Sequence, residues 1–66
     1  MTIGRNIRTT RERKDLEQKE LAERSGLSSA LICMYEKGVR TPTIGNLMKI
    51  ATALDVTAEE LMKGVS

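Results

Sequence analysis

The sequence predicts an all-α fold of five short helices, and three observations carry that expectation. Aliphatic residues recur at helical spacing, as in Ile3/Ile7, Leu31/Ile32/Tyr35 and Leu47/Ile50/Ala51/Leu54. Helix breakers fall between those groups, at Gly26, Gly38, Pro42 and Gly64. Ser28, Thr43 and Thr57 stand where new helices need caps. The chain has 66 residues and no Phe or Trp, so one small domain over residues 1–66 with an aliphatic core is expected.

The first helix is expected from about Ile3 to Lys14, with Ile3, Ile7 and Thr10/Arg11 as its inner stripe. Leu16 anchors the connection that follows. The second helix spans Gln18 to Ser25, with Leu21 and Ala22 inward. Ala22 is small because the next helix crosses closely there. Gly26 takes the turn, where a residue without Cβ reaches positive φ at little cost. Ser28 caps a third helix from Ser29 to Lys37, stopped by Gly38. Pro42 breaks the chain before a fourth helix, capped by Thr43 and running to about Leu54. Its apolar positions are Ile44, Leu47, Met48, Ile50, Ala51 and Leu54. Thr57 and Glu60 have capping-box spacing for a short fifth helix that Gly64 ends. Glu17 is a weak cap for the second helix, though its charge suits the positive helix end.

Helices two and three, joined by a tight turn, have the layout of a helix-turn-helix, a device for docking on DNA. If Leu27, Leu31, Ile32 and Tyr35 point inward, Ser29, Ala30, Cys33, Met34 and Lys37 point outward. The net charge is only +2, but it is unevenly distributed. Arg5, Arg8, Arg11, Arg13 and Lys14 face a single acid, Glu12, at the start of the chain. Asp15, Glu17, Glu20 and Glu23 then dominate, and positive charge returns at Arg24, Lys37 and Arg40. Gripping phosphates needs basic groups on one face, not a large net charge. Arg5, Arg8, Arg13 and Lys14 also fit a simple solubilising role.

Other function classes find little support. The chain has one Cys and no His, which leaves no plausible metal set and no internal disulfide, in keeping with a reducing cytosol. No nucleophile-plus-base arrangement or phosphate-cradling Gly loop stands out, so the chain is not expected to be an enzyme or to carry a cofactor. No apolar run is long enough to span a membrane, and no signal-peptide core or small-molecule site is evident.

Several spaced features also coincide: Gln-x-x-Leu-Ala from Gln18, the turn Gly26, Ile-x-x-Tyr-Glu-x-Gly from Ile32, and Leu-x-x-Ile-Ala-x-Ala-Leu from Leu47. Together they resemble the phage-repressor/Cro-like helix-turn-helix proteins, the XRE-type regulators, over nearly the whole chain. That resemblance implies a five-helix repressor-like DNA-binding domain. It places Gln18 at the end of the second helix that faces the DNA backbone, where its amide donates to a phosphate. The family's base-reading positions match Ser29, Ala30, Cys33 and Met34. Ser28 begins this face and serves foremost as a cap. Lys37, Arg40 and Thr41, with Thr43, follow as backbone contacts. Family members often carry Gln, Arg, Lys or Asn on the reading face; this chain carries small and apolar residues. Such a face reads thymine methyl groups and DNA shape more than hydrogen-bonding edges. Cys33 is open to two readings, a small groove-facing residue or a sensing thiol. Arg11 and Glu36 match a buried ion pair of the family, against the alternative of two unrelated surface charges.

The expected function is a sequence-specific transcriptional regulator, a repressor, binding a two-fold double-stranded operator as a homodimer in the cytoplasm, on the nucleoid. The alternative is an antitoxin-like or protein-interaction module built on the same fold. The apolar residues available for a dimer are Val39, Val56, Leu61, Met62 and Val65, of which Leu61 is expected to close the core.

Overall fold

A computed structural model describes residues 2–65. Its helices are α1 (Ile3–Arg13), α2 (Gln18–Ser25), α3 (Ser29–Lys37), α4 (Ile44–Leu54) and α5 (Ala58–Met62), with no strand among the described residues. The expected all-α architecture and the order of its elements hold. Their ends follow from caps. Thr2 accepts from the Arg5 N–H at 3.1 Å and opens α1. Ser28, Thr43 and Thr57 do the same for α3, α4 and α5, accepting from Leu31, Asn46 and Glu60 N–H groups at 3.1–3.2 Å.

Three helix endings use left-handed backbone. Gly26 (φ 73°) and Gly38 (φ 78°) close α2 and α3, as their lack of Cβ allows. Leu27 N–H returns to Ala22 O and Val39 N–H to Met34 O, which satisfies carbonyls that the helices leave open. Asp55 (φ 58°) ends α4, and Asp15 (φ 57°) turns the chain after α1, which stops at Arg13, one residue short of the expected Lys14. Aspartate tolerates this region better than most side chains do. The weak cap at Glu17 is offset locally, because Glu20 Oε1 accepts from the Glu17 N–H at 3.1 Å.

All five helices contribute to one core. Ile7, Leu21, Ile32, Ile50, Leu54 and Leu61 are fully enclosed, with Leu16, Ala22, Tyr35, Leu47 and Ala51 packed around them. Burying each such aliphatic side chain contributes roughly 1.5–3 kcal/mol of transfer free energy. Two apolar positions of α4 differ from the helical-spacing reading. Ile44 is 79% exposed and Met48 58%. Leu47, Ile50, Ala51 and Leu54 already fill an arc of about 100° on the helix, and Ile44 and Met48 lie past its edge.

Two buried contacts decide how α1 sits. Gly4 packs against the backbone of α3, so closely that a Cβ there would lie 1.9 Å from Tyr35 O. Asn6 is buried, and its Nδ2 donates to Leu61 O at 2.8 Å and Lys63 O at 2.9 Å. One amide thus ties the carbonyls at the end of α5 to α1.

Candidate nucleic-acid interface

The recognition helix is held from behind by apolar contacts and at its end by a charged group. Ile32 and Tyr35 anchor α3 in the core. The Tyr35 hydroxyl accepts from Asn46 Nδ2 at 2.9 Å, which locks α3 to the first turn of α4. Arg11 Nε donates to Glu36 Oε2 at 2.7 Å and Nη2 to Oε1 at 3.1 Å, a two-pronged pair. Arg11 Nη1 also reaches Leu16 O at 2.7 Å. Their side chains are only 12% and 4% exposed. The expected ion pair is therefore present, and the surface-charge alternative is not. Its hydrogen bond to Glu36 raises the Arg11 pKa above the usual arginine value, outweighing the opposing effect of burial.

With Ile32 and Tyr35 turned inward, two stripes remain on the other side of α3. Ser29, Cys33 and Glu36 form one, at intervals of four and three residues. This stripe borders α1 and α2, because Glu36 binds Arg11 and Gln18. Ala30, Met34 and Lys37 form the second, bordering the loop that starts at Gly38. Val39 and Arg40 N–H groups both return to Met34 O, at 3.0 and 3.4 Å, and fold that loop against the helix end. Ser28, Ser29, Ala30 and Lys37 are exposed, while Cys33 and Met34 are half-buried. Arg40, Thr41 and Thr43 are exposed in the loop, with Pro42 buried between them.

Gln18, expected to donate to a phosphate, also has a partner inside the protein. Its Nε2 donates to Glu36 Oε1 at 3.1 Å and so uses one of its two amide protons inside the protein. Ser28 keeps its hydroxyl proton, since the cap uses only its acceptor side. The sequence reading missed Gly4, Asn6 and Asn46, all of which fix helices behind the face. Gly4 and Asn6 do carry a signal, since each lies within a turn of Ile7 on the inner side of α1, where a non-aliphatic residue requires a reason.

On the opposite faces of α1 and α2 the charges are solvated; Arg8 and Glu12 approach to 3.6 Å with both side chains more than half exposed. No group of His, Cys, Asp and Glu is placed to hold a metal ion, and no helix is long and apolar enough to cross a membrane, among the described residues.

An exposed face on the second helix of a tight helix pair, over an aliphatic five-helix core, defines a helix-turn-helix domain. The chain belongs to the helix-turn-helix family of phage-repressor/Cro-like (XRE-type) DNA-binding transcriptional regulators, whose model matches residues 7–61. It is 44% identical over 58 residues to an uncharacterised helix-turn-helix transcriptional regulator of Mycobacterium tuberculosis, covering 88% of this chain and 41% of that protein. The chain spans less than half the length of the first curated relatives it matches. Among solved structures it is similar to the restriction-modification controller protein C.AhdI from Aeromonas hydrophila, with 39% identity, 89% of each chain covered and a TM-score of 0.87. The P22 c2 repressor in complex with a synthetic operator matches at 28% identity, 97% of each chain and a TM-score of 0.88.

Proposed function

We propose that this chain represses transcription by seating α3 in the major groove of a two-fold operator, as one half of a homodimer in the cytoplasm. The observation that carries this is the outward face of α3, with Ser29 and Ala30 exposed and Cys33 and Met34 half-buried, continued by Lys37, Arg40 and Thr41, on a fold that matches an operator-bound repressor over 97% of each chain. Ser29, Ala30, Cys33 and Met34 meet the base edges. Ser29 donates or accepts there, and Ala30 and Met34 pack against thymine methyl groups. Ser28 caps the helix and offers its hydroxyl proton to the backbone. Gln18, Lys37, Arg40 and Thr41 hold phosphates on either side, which sets the register of the helix in the groove. Few two-pronged base contacts form, so groove width and deformability add to discrimination. An occupied operator excludes other proteins from the same DNA, which suffices for repression without a catalytic step.

Selection of bound sequences from a random double-stranded pool tests the reading. The expected result is an enriched palindrome with half-sites about one helical turn apart. Enrichment of no sequence, with tight capture of a protein partner instead, would favour the interaction-module alternative.

A further inference from the structure

Glu36 has a second partner whose role the Arg11 pair does not explain. The carboxylate accepts three hydrogen bonds: Arg11 Nε on Oε2 at 2.7 Å, and Arg11 Nη2 and Gln18 Nε2 on Oε1, each at 3.1 Å. Arg11 alone balances the charge. The bond from Gln18 joins the first residue of α2 to the last turn of α3. A primary amide has two ends of nearly equal shape, one donating and one accepting. An ionised carboxylate accepts only, so it takes the NH2 end and repels the carbonyl end. Glu36 thereby decides which way the Gln18 amide faces. The second amide proton then diverges from Glu36. It does so at a helix N-terminus, where open N–H groups favour an anion.

We propose that Glu36 is a positioning residue for the DNA-backbone contact of Gln18. It holds the amide with a proton presented to phosphate, and so links the grip on the backbone to the seating of the recognition helix. This rests on the DNA-binding reading above. Glu36 lies on the same stripe of α3 as Ser29 and Cys33. A phosphate bound through Gln18 therefore pulls on the helix edge that carries two of the base-facing residues. Replacing Glu36 by a neutral amide weakens the orientation rule, because the amide keeps one acceptor for Arg11 and its NH2 end can donate to the Gln18 carbonyl, holding the Gln18 amide reversed.

The test is a double-mutant cycle on affinity for random-sequence double-stranded DNA, which reads backbone contacts. Gln18→Ala is expected to weaken binding several-fold while leaving the salt slope almost unchanged, because a neutral amide releases no counterion from the phosphate it binds. In the Glu36→Gln background the same Gln18→Ala change is expected to cost far less. Equal losses in the two backgrounds would overturn the proposal. Absence of any DNA binding by the unmodified protein would overturn the functional reading, and this inference with it. Glu36→Gln strands Arg11 and risks the fold, so a second measurement uses the unmodified protein. NMR of the Gln18 side-chain amide during DNA titration should show one proton fixed in shift and slow to exchange while the other moves. Movement of both would mean that Gln18 leaves Glu36 on binding, and the positioning role would fall.

Discussion

Gly4 and Gly45 are both helical glycines, and their surroundings set opposite outcomes for the same substitution. At Gly4 an added Cβ would meet Tyr35 O at 1.9 Å and Tyr35 C at 3.0 Å, both backbone atoms that a side-chain rotation cannot move. Gly4→Ala must push α1 away from α3, and overpacking of this kind costs about 1–3 kcal/mol or more. At Gly45 the nearest atom is Thr43 Oγ1 at 4.0 Å, so Gly45→Ala is expected to add about 0.5–1 kcal/mol of helix stability. Urea denaturation of the two variants checks the pair; a shift of the same sign in both would show that α1 and α3 are not in close contact. Arginines on α1 divide in the same way. Arg11→Ala leaves the Glu36 carboxylate enclosed without its cation, at roughly 3–5 kcal/mol. Arg8→Ala loses only a solvated pair with Glu12, at about 0–1 kcal/mol. Thermal melts of the two variants should separate clearly, and equal melting temperatures would contradict a buried Arg11. The Arg11–Glu36 pair was legible only through its resemblance to a family pattern. Gly4 and Asn6 were signalled only as non-aliphatic residues on the inner side of α1, and what they and Asn46 contact was not legible, because each acts on an element remote in sequence, such as Asn6 on Leu61 and Lys63.

The boundaries of α2, α3 and α4 follow local chemistry, and that is why they were legible within the sequence. Ser28 and Thr43 cap, and Gly26 and Gly38 stop, through bonds within four or five residues. Facing was harder to read where an apolar residue lies at the rim of an arc, as Ile44 and Met48 do. On α3 the inner pair Ile32 and Tyr35 leaves no such ambiguity, and the outer stripes follow by subtraction. That they face away from the core pair was legible; the internal bond of Gln18 to Glu36 was not, since it depends on where the end of α3 meets the start of α2. The stripes make separable predictions. Lys37→Ala and Arg40→Ala are expected to weaken binding to all DNA sequences alike, each lowering the slope of log K against log salt by about 0.9. Unchanged slopes in both would remove them from the backbone contacts. Met34→Gln is expected to shift the selected half-site, with altered base preferences of about 1–3 kcal/mol each. An identical consensus for Met34→Gln and the unmodified protein would mean that this stripe does not face the bases.

At the scale of the whole molecule the question is how a domain with principal extents of 29 × 23 × 20 Å discriminates one site in a genome. One recognition helix reads only a few base pairs, which is too little for a useful specificity ratio. Two copies with their α3 helices about 34 Å apart would read successive turns of one DNA face. The apolar residues set aside for such a contact divide clearly. Leu61 is fully enclosed and so is not free to join two copies, while Val56 packs against the core and stays partly exposed. Val39 is 69% exposed, and Met62 and Val65 also reach the surface. Ile44 and Met48 add apolar area on α4 that helical spacing had placed inward. These five side chains are the exposed large apolar groups among the described residues, so the area they can bury between copies is small. Standard interfaces of stable complexes bury about 1,200–2,000 Å² in total. A weak dimer that tightens on DNA is therefore expected, with the shared duplex raising the effective concentration of the second copy. Sedimentation over rising protein concentration, with and without an operator duplex, measures this. The expected result is a mainly monomeric chain alone and two copies per duplex at far lower concentration. A second copy that adds no more readily than the first, on a footprint without two-fold symmetry, would refute the dimer. Val39→Ser, which adds no charge beside Arg40, is expected to weaken loading of the second copy while leaving binding of a single copy to a half-site within about twofold, because Val39 lies outside both stripes of α3.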